Sequence, residues 1–592
     1  MTYATNHLLI APVVLPLFVG ALLLMFDERR HTLKAVINVA STLLLLVLAA
    51  HLVGVADSIA PATEDGVLSS VYPLGNWPAP FGIVLVLDRL SALMLALAAV
   101  LAVAALVFSL ARWHRGGPHF HTLFQFLLMG VNGAVLTGDL FNLFVFFEVM
   151  LAASYGLALH GSGPSRVKAG LHYIVINLAA SSLFLIGVAL IYGVTGTLNM
   201  ADLALKVPHV PQADRMLLHA GAALLGIAFL VKAGMWPLCF WLPTTYTAAA
   251  APVAAAFAIL SKVGIYILLR LSLLLFGEGA GASAGFGAGW LLAGGLLTLA
   301  FGGIGMLSSQ SMGRLAGFGI ITSSGTLLAA VGLANASVTS GALFYMVSST
   351  LTVAAFFLLI ELIQRAQDPS ADELTAFAEP YDDQQEDADI EEEVGVVIPG
   401  TLALLGICFA GCGLLLAGLP PLSGFVGKLA LLSAMIAPTG PQGADGIAVP
   451  GLTWVFFALL ILSGLAAMIA MVRAGIRTFW APVEGVAVPR VRIVEIAPVA
   501  FLLLLCITMS IQGGPLMRYM DATARSLHAP GAYIENVLGA PRVGTAMPEE
   551  AAPPEATIEE ATPPDTASEN GDSAPGGAAA PPAPVPPAEA TP

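Results

Sequence analysis

The chain has 592 residues, 57% of them hydrophobic and only 10% charged, with a formal net charge of −15 and a mean hydropathy of +0.87. Soluble proteins carry roughly 25% charged residues, so this composition excludes a soluble globular protein and requires one that crosses a membrane many times. There is no basic stripe, which argues against nucleic-acid binding, and most of the acids are confined to one loop and the C-terminal tail.

Apolar runs near 7–26 and 35–55 are the first two spans. Residues 1–7 lack the positive stretch of a signal peptide, so the first run is expected to be retained as a helix. The link between the two spans holds Arg29, Arg30 and Lys34, whereas 56–80 holds Asp57, Glu64 and Asp65 and no Lys or Arg. The positive-inside rule places the first link in the cytoplasm and the N-terminus outside. A third span, 83–111, carries Asp88 and Arg89 near its start, read as an interfacial pair, and leads into a basic link. Spans follow near 120–137, 140–160 and 169–193, then an interrupted span over 217–250 and another near 253–275. A second series lies near 287–307, 315–335, 339–364, 396–437 (also interrupted), 451–473 and 492–512. The expected fold is an all-α polytopic membrane protein of about fourteen helices with both termini outside. Arg166, Lys168, Arg314, Arg365, Arg473 and Arg477 all fall on the cytoplasmic side of that count.

The domain organisation expected from this pass has helices 1–3 in residues 1–118, helices 4–8 in 119–275, helices 9–13 in 287–475 and helix 14 in 492–512. The loop 366–394 is acidic without a basic residue and reads as solvated and cytoplasmic. The Pro/Ala-rich tail 540–592 is disordered by composition. Cys239, Cys408, Cys412 and Cys506 sit in apolar surroundings and read as small buried hydrophobes. His119 and His121 lack a carboxylate or thiol partner nearby, so no metal site is read there. No cofactor motif is present.

The chemistry lies in charges inside the apolar runs. A charged side chain at the centre of a spanning helix costs roughly a few kcal/mol on insertion scales and is seldom there without a role. Glu148 sits mid-span among Phe141, Phe144, Phe146 and Phe147. Lys232 and Lys262 flank a stretch with Gly234, Pro237, Pro243 and Pro252. The other interrupted run holds Pro420, Pro421, Gly424 and Lys428. Proline frees backbone groups, which a membrane tolerates only against protein or a polar cavity. Two Gly/Pro-interrupted runs in corresponding positions point to inverted repeats and to the ion path of a secondary transporter. Glu148, Lys232, Lys262 and Lys428 are the candidates for one proton relay. Of the remaining polar residues, Lys168 and His172 share a helix face near the cytoplasmic end, where a proton could enter; an interfacial histidine is the rival reading. Asp139 reads as a helix N-cap, and Glu361 as a helix-end ion pair with Arg365.

The runs GDLFNLFVFFEVM, KAGMWPLCFWLPTTYTAAAAPV, ILSKVGIY and GLPPLSGFVGKL resemble the antiporter-like subunits shared by Mrp-type multisubunit cation/proton antiporters and respiratory complex I. The similarity covers about residues 5–515 and is greatest to the D subunits of Mrp/Pha antiporters. The resemblance implies two inverted five-helix repeats with helices 7 and 12 broken, and it implies relay positions at Glu148, Lys232, Lys262 and Lys428. It also exposes departures. Tyr246 and Ser348 stand where histidines are common, and the polar stretch of helix ten has no histidine. Hydroxyls such as Thr322, Ser323, Ser324 and Ser348, with water, would then carry the second half of the path. The implied function is that of a subunit of a Na⁺ or K⁺/H⁺ antiporter, a secondary transporter rather than an enzyme. Its expected partners are the other antiporter subunits, H⁺ with Na⁺ or K⁺, and the lipid of a bacterial inner membrane. The alternatives are a proton-pumping subunit of a complex I-like oxidoreductase or membrane hydrogenase, and a non-conducting scaffold.

Overall fold

The computed structural model describes residues 7–58, 70–367, 400–436, 451–480 and 491–540. The acidic loop from residue 368 on and the tail from residue 541 on lie outside the described residues.

Helices α1 (Ala11–Leu24), α2 (His31–Ser58) and α3 (Arg89–Ser109) precede α4 (Phe120–Leu136), α5 (Leu140–Ala158) and α6 (Pro164–Thr195). A short α7 (Met200–Lys206) leads to α8 (Gln212–Ala233), α9 (Trp241–Ala248) and α10 (Ala251–Phe276). The second series is α11 (Ala288–Ser308), α12 (Met312–Leu333), α13 (Ala336–Gln367), α14 (Gly400–Ala417), α15 (Ser423–Ile436), α16 (Gly451–Gly475) and α17 (Ile493–Ile511). Two further helices, α18 (Gly513–His528) and α19 (Gly531–Leu538), follow. Among the described residues, twelve helices are long and apolar enough to cross a membrane, and three more are apolar but shorter. Those numbers are compatible with the fourteen spans expected, two of them interrupted.

The interruptions share a design. Helix α8 ends at Gly234 (φ +76°), and α14 ends at Gly418 (φ +73°). Both glycines occupy the left-handed region that a Cβ disfavours, and proline follows within three residues, at Pro237 and Pro420. The breaks are thus 234–240 and 418–422, and two expected break residues lie outside them. Pro243 sits in the first turn of α9, where its missing N–H costs nothing. Gly424 sits in the first turn of α15, where a Cβ would come within 2.2 Å of the Leu415 carbonyl oxygen. Gly418, not Gly424, is the counterpart of Gly234.

Three local features depart from the sequence expectations. The third span does not begin at 83: Val84–Leu87 is a strand paired antiparallel with Ser70–Pro73. Asp88 then starts α3 through a reciprocal capping box with Ser91. Residues 513–538, which carried no assignment, form α18 and α19. Met520, Thr523, Ala524 and Leu527 of α18 are buried at helical spacing against the bundle. Lys34, expected in the cytoplasmic link between the first two spans, lies in the first turn of α2, is 2% exposed and bonds Glu28 at 2.7 Å. Burial pushes the Glu28 carboxyl up, but the Lys34 bond, the His119 N–H and both charges together hold it below its ordinary value.

Helices α11 and α12 meet backbone to backbone. A Cβ on Gly295 would lie 2.3 Å from the Ala329 nitrogen, and one on Gly325 would lie 2.4 Å from the Leu299 nitrogen. Small residues permit such close approach in membranes, and overpacking typically costs about 1–3 kcal/mol. Gly325→Val is therefore expected to lower the thermal midpoint of the purified complex, read by a scanning unfolding assay.

Candidate functional site

The first polar group of the candidate site lies between α5, α6 and α8. Asp139 starts α5 by accepting the N–H groups of Phe141 and Asn142 at 2.9 and 2.8 Å, which fixes the register that aims Glu148 inward. Phe147 and Phe229 pack edge to face at 5.5 Å between centroids, and Phe184 meets both. Lys232, in the last turn of α8, is 5% exposed, and its Nζ lies 5.2 Å from the Phe147 ring centroid. Neither that Nζ nor Glu148 Oε1 has a hydrogen-bond partner. Glu148 is the charge that acts on Lys232, yet no direct ion pair joins them among the described residues. Two unpaired opposite charges in an aromatic, low-dielectric setting interact strongly and are costly to leave separated.

The second group joins α10 of the first half to α12 and α13 of the second. Lys262 of α10 is 2% exposed and donates to Ser323 Oγ of α12 at 2.9 Å. Ser323 in turn meets Ser349 Oγ of α13 at 2.9 Å. Both serines border a cavity of about 20 Å³, also lined by Thr322, Tyr345, Ser348 and Gly424. That is room for one water, and the walls supply the polar partners a water needs. On the far side, Ser348 Oγ lies 2.7 Å from Ser423 Oγ at the start of α15. Leu416 also borders the cavity. Its carbonyl accepts Lys428 Nζ at 3.3 Å, and the Ala417 carbonyl accepts the same Nζ at 2.9 Å. These carbonyls are freed because α14 ends there. The break after α14 thus supplies the acceptors that hold Lys428.

Of the hydroxyls named from sequence, Ser323 and Ser348 make these bonds and Thr322 lines the cavity while donating to the Phe318 carbonyl. Ser324 Oγ is buried without a partner and is not among the residues lining that cavity. Tyr246 is buried and donates to the Phe257 carbonyl at 2.7 Å. Lys168 and His172 do not join the group: both are exposed, and the His172 ring bonds the Lys168 carbonyl at 2.8 Å. Ser349, Ser423 and Gly418 were not anticipated. Ser349 adjoins Ser348 in a hydroxyl-rich run, and Ser423 lies just beyond the Pro420–Pro421 break, so both were visible as polar residues in apolar helices.

The sequence reading also missed Arg270, an arginine inside an apolar run. It is 5% exposed and its Nη2 reaches Asp88 Oδ2 at 2.7 Å and Oδ1 at 2.9 Å. Its Nε donates to Tyr266 Oη at 3.0 Å. The expected Asp88–Arg89 pair is therefore corrected: Asp88 turns inward to Arg270, and Arg89 turns to Asp57 at 3.3 Å. Helices α18 and α19 close this end, with Tyr519 donating to the Arg89 carbonyl at 2.8 Å and Tyr533 stacked 5.4 Å from the Arg270 guanidinium.

Residues 137–443 match the family described as NADH:quinone oxidoreductase/Mrp antiporter, transmembrane. The chain is 62% identical over 545 residues to the D subunit of a probable K⁺/H⁺ antiporter of Rhizobium meliloti, covering 92% of this chain and 100% of that one. It is 34% identical over 539 residues to the D subunit of a Na⁺/H⁺ antiporter of Alkalihalophilus pseudofirmus, covering 90% and 99%. Among solved structures, a chain of the Mrp complex from a Dietzia species superposes with a TM-score of 0.74 at 24% identity, covering 91% of this chain and all of that one. A chain of respiratory complex I from Thermus thermophilus superposes at 0.66 with 20% identity, covering 90% and 100%. The chain belongs to the NADH:quinone oxidoreductase/Mrp antiporter transmembrane family, and within it to the D subunits of the Mrp-type antiporters.

Proposed function

We propose that this chain is the proton-conducting D-type subunit of a multisubunit Na⁺ or K⁺/H⁺ antiporter of a bacterial inner membrane. The observation that carries the reading is the run of polar groups from Lys262 through Ser323 and Ser349, across the water-sized cavity, to Ser348 and the carbonyls that hold Lys428. A proton taken by one lysine has hydroxyl oxygens and one water's space along which to reach the next. The Glu148–Lys232 pair stands at the other end as the switch. When the two approach, the ammonium is favoured; when they part, Lys232 is pushed to release its proton toward Lys262. Interruptions of the same design at Gly234 and Gly418 support reading 119–275 and 287–475 as inverted repeats. The arginines of the links at one end, including Arg112 and Arg166, support a cytoplasmic position for that end and an outer position for both termini. A redox-driven complex with the same relay would pump rather than exchange.

Everted vesicles from cells producing the whole complex test the reading. Added K⁺ or Na⁺ is expected to dissipate a preformed pH gradient, with K⁺ the better substrate in line with the relative 62% identical to this chain. No dissipation by either cation, with the complex intact in the membrane, overturns it.

A further inference from the structure

At the arginine-rich end a second cavity, of about 220 Å³, opens between the α3–α4 link, the α9–α10 turn and the last turns of α13. Arg112, Arg166, Arg365 and Glu361 lie at its wall, and Tyr246 and Phe357 form its inner side. Glu361 extends from α13 with a side chain 13% exposed. The Trp113 indole donates to both its oxygens, at 2.9 and 2.8 Å. The charged groups facing it are Arg365 on its own helix, Arg112 from the link, Arg166 from α6 and Glu495 from α17.

The bland account makes Glu361 one half of a helix-end pair. The distances favour a different division of labour. Arg365 bonds Glu495 at 2.7 Å, whereas its contact with Glu361 is 3.3 Å. Glu495 also accepts the Arg492 N–H at 3.0 Å, so it is fixed as the cap of α17. The pin between helices is therefore Arg365–Glu495, and Arg365 has a carboxylate partner without Glu361. Arg166 is likewise engaged elsewhere, donating to the Ala248 carbonyl at 2.8 Å and stacking 4.9 Å from the Trp113 ring. A carboxylate aimed into a polar vestibule, held by a neutral indole and not required to neutralise its neighbour, is suited to exchanging a proton with water.

We propose that Glu361 is the inner exchange residue of the relay, the group that passes protons between vestibule water and the path to Lys262. Ser349, level with Lys262, lies twelve residues before Glu361 on α13, or about 18 Å along the helix at 1.5 Å per residue. The polar side chain on the cavity's inner wall is Tyr246, whose hydroxyl closes onto the Phe257 carbonyl. Rotation of that hydroxyl off the carbonyl would free a donor and an acceptor for a water on the way to Lys262. A proton leaving the relay crosses by water to the Glu361 carboxylate and is then given to a vestibule water, which restores the carboxylate; the reverse order serves uptake. The assignment rests on the proton-relay reading given under Proposed function.

The test uses the whole complex in everted vesicles, whose outer buffer bathes this face, with antiport rate measured against buffer pH. Glu361→Gln, which keeps an acceptor for the indole but cannot take a proton, is expected to lower the rate at least about tenfold and to flatten the pH profile. Glu361→Asp is expected to recover rate and profile in part. A Gln variant with an unchanged rate and profile, while Glu148→Gln is inactive, overturns this assignment and leaves the relay standing. Full antiport in Glu148→Gln overturns the relay instead. If Glu361→Gln does not assemble, Trp113→Phe removes the indole donor and keeps a ring for Arg166; it is expected to shift the profile, and an unshifted profile overturns the assignment.

Discussion

Replacing Glu148 with Gln is expected to abolish cation-driven dissipation of the pH gradient in everted vesicles while the complex still assembles. Gln matches Glu in size, so the contacts of α5 with Phe184 and Phe229 stay in place. What it removes is the charge acting on Lys232, whose Nζ has no hydrogen-bond partner to take over. Without that charge the buried ammonium loses its counter-ion, and its protonation no longer follows the geometry of a partner. A group that moves a proton at each turnover contributes on the order of 10²–10⁴ in rate, so the residual activity is expected at or below the detection limit of a dye-based assay. Assembly is checked by co-purification of the other subunits. A scaffold role for the chain predicts the reverse, with intact transport or failed assembly.

The largest stability effect is expected at Asp88. Asp88→Ala leaves Arg270, 5% exposed, without the carboxylate its Nη2 donates to twice. Breaking a buried pair by removing one partner costs about 3–5 kcal/mol, because the remaining charge is uncompensated. Loss of the cap on the Ser91 N–H adds about 1 kcal/mol. Tyr266 and Tyr533 remain against the guanidinium, but neutral rings do not replace a charge. The variant is expected to lower the thermal midpoint of the purified complex and its yield in membranes. Adding Arg270→Met to Asp88→Ala is expected to restore part of that loss, since an apolar side chain in the same volume needs no counter-ion. An unchanged midpoint in Asp88→Ala contradicts the account of this pair.

Much of the architecture was legible because the bilayer simplifies the code. Long apolar runs must be helices, and arginine counts alternate with the loops. The charged residues of the proposed relay were legible for the same reason: Glu148, Lys262 and Lys428 violate the apolar rule plainly, and Lys262 and Lys428 are buried while Glu148 is part-buried. Arg270 violates it equally, and the rule that singles out Lys262 eight residues earlier finds it as well. Other features had no one-dimensional signal. That Asp88 faces Arg270 rather than Arg89 depends on α3 and α10 being neighbours, 182 positions apart in sequence. The cavity between Ser323 and Ser348 is a gap among five helices, α11 to α15, and no spacing along one of them reports it. The hairpin at 70–87 and the amphipathic α18 are too short and too mixed to stand out in a hydropathy window. His172 and Lys168 share a face as expected, but that face points away from the relay, and periodicity alone does not say which face is inward.

The account turns on Lys262, which faces Ser323 on the cavity side and lies between the Glu148–Lys232 pair and Lys428 in the proposed order. Lys262→Met, close in length and without a proton to give, tests it most directly in the fully assembled complex, by antiport in everted vesicles with Na⁺ and with K⁺. The relay predicts no dissipation of the pH gradient with either cation and normal recovery of all subunits. Antiport at the unsubstituted rate, with the complex fully assembled, contradicts it.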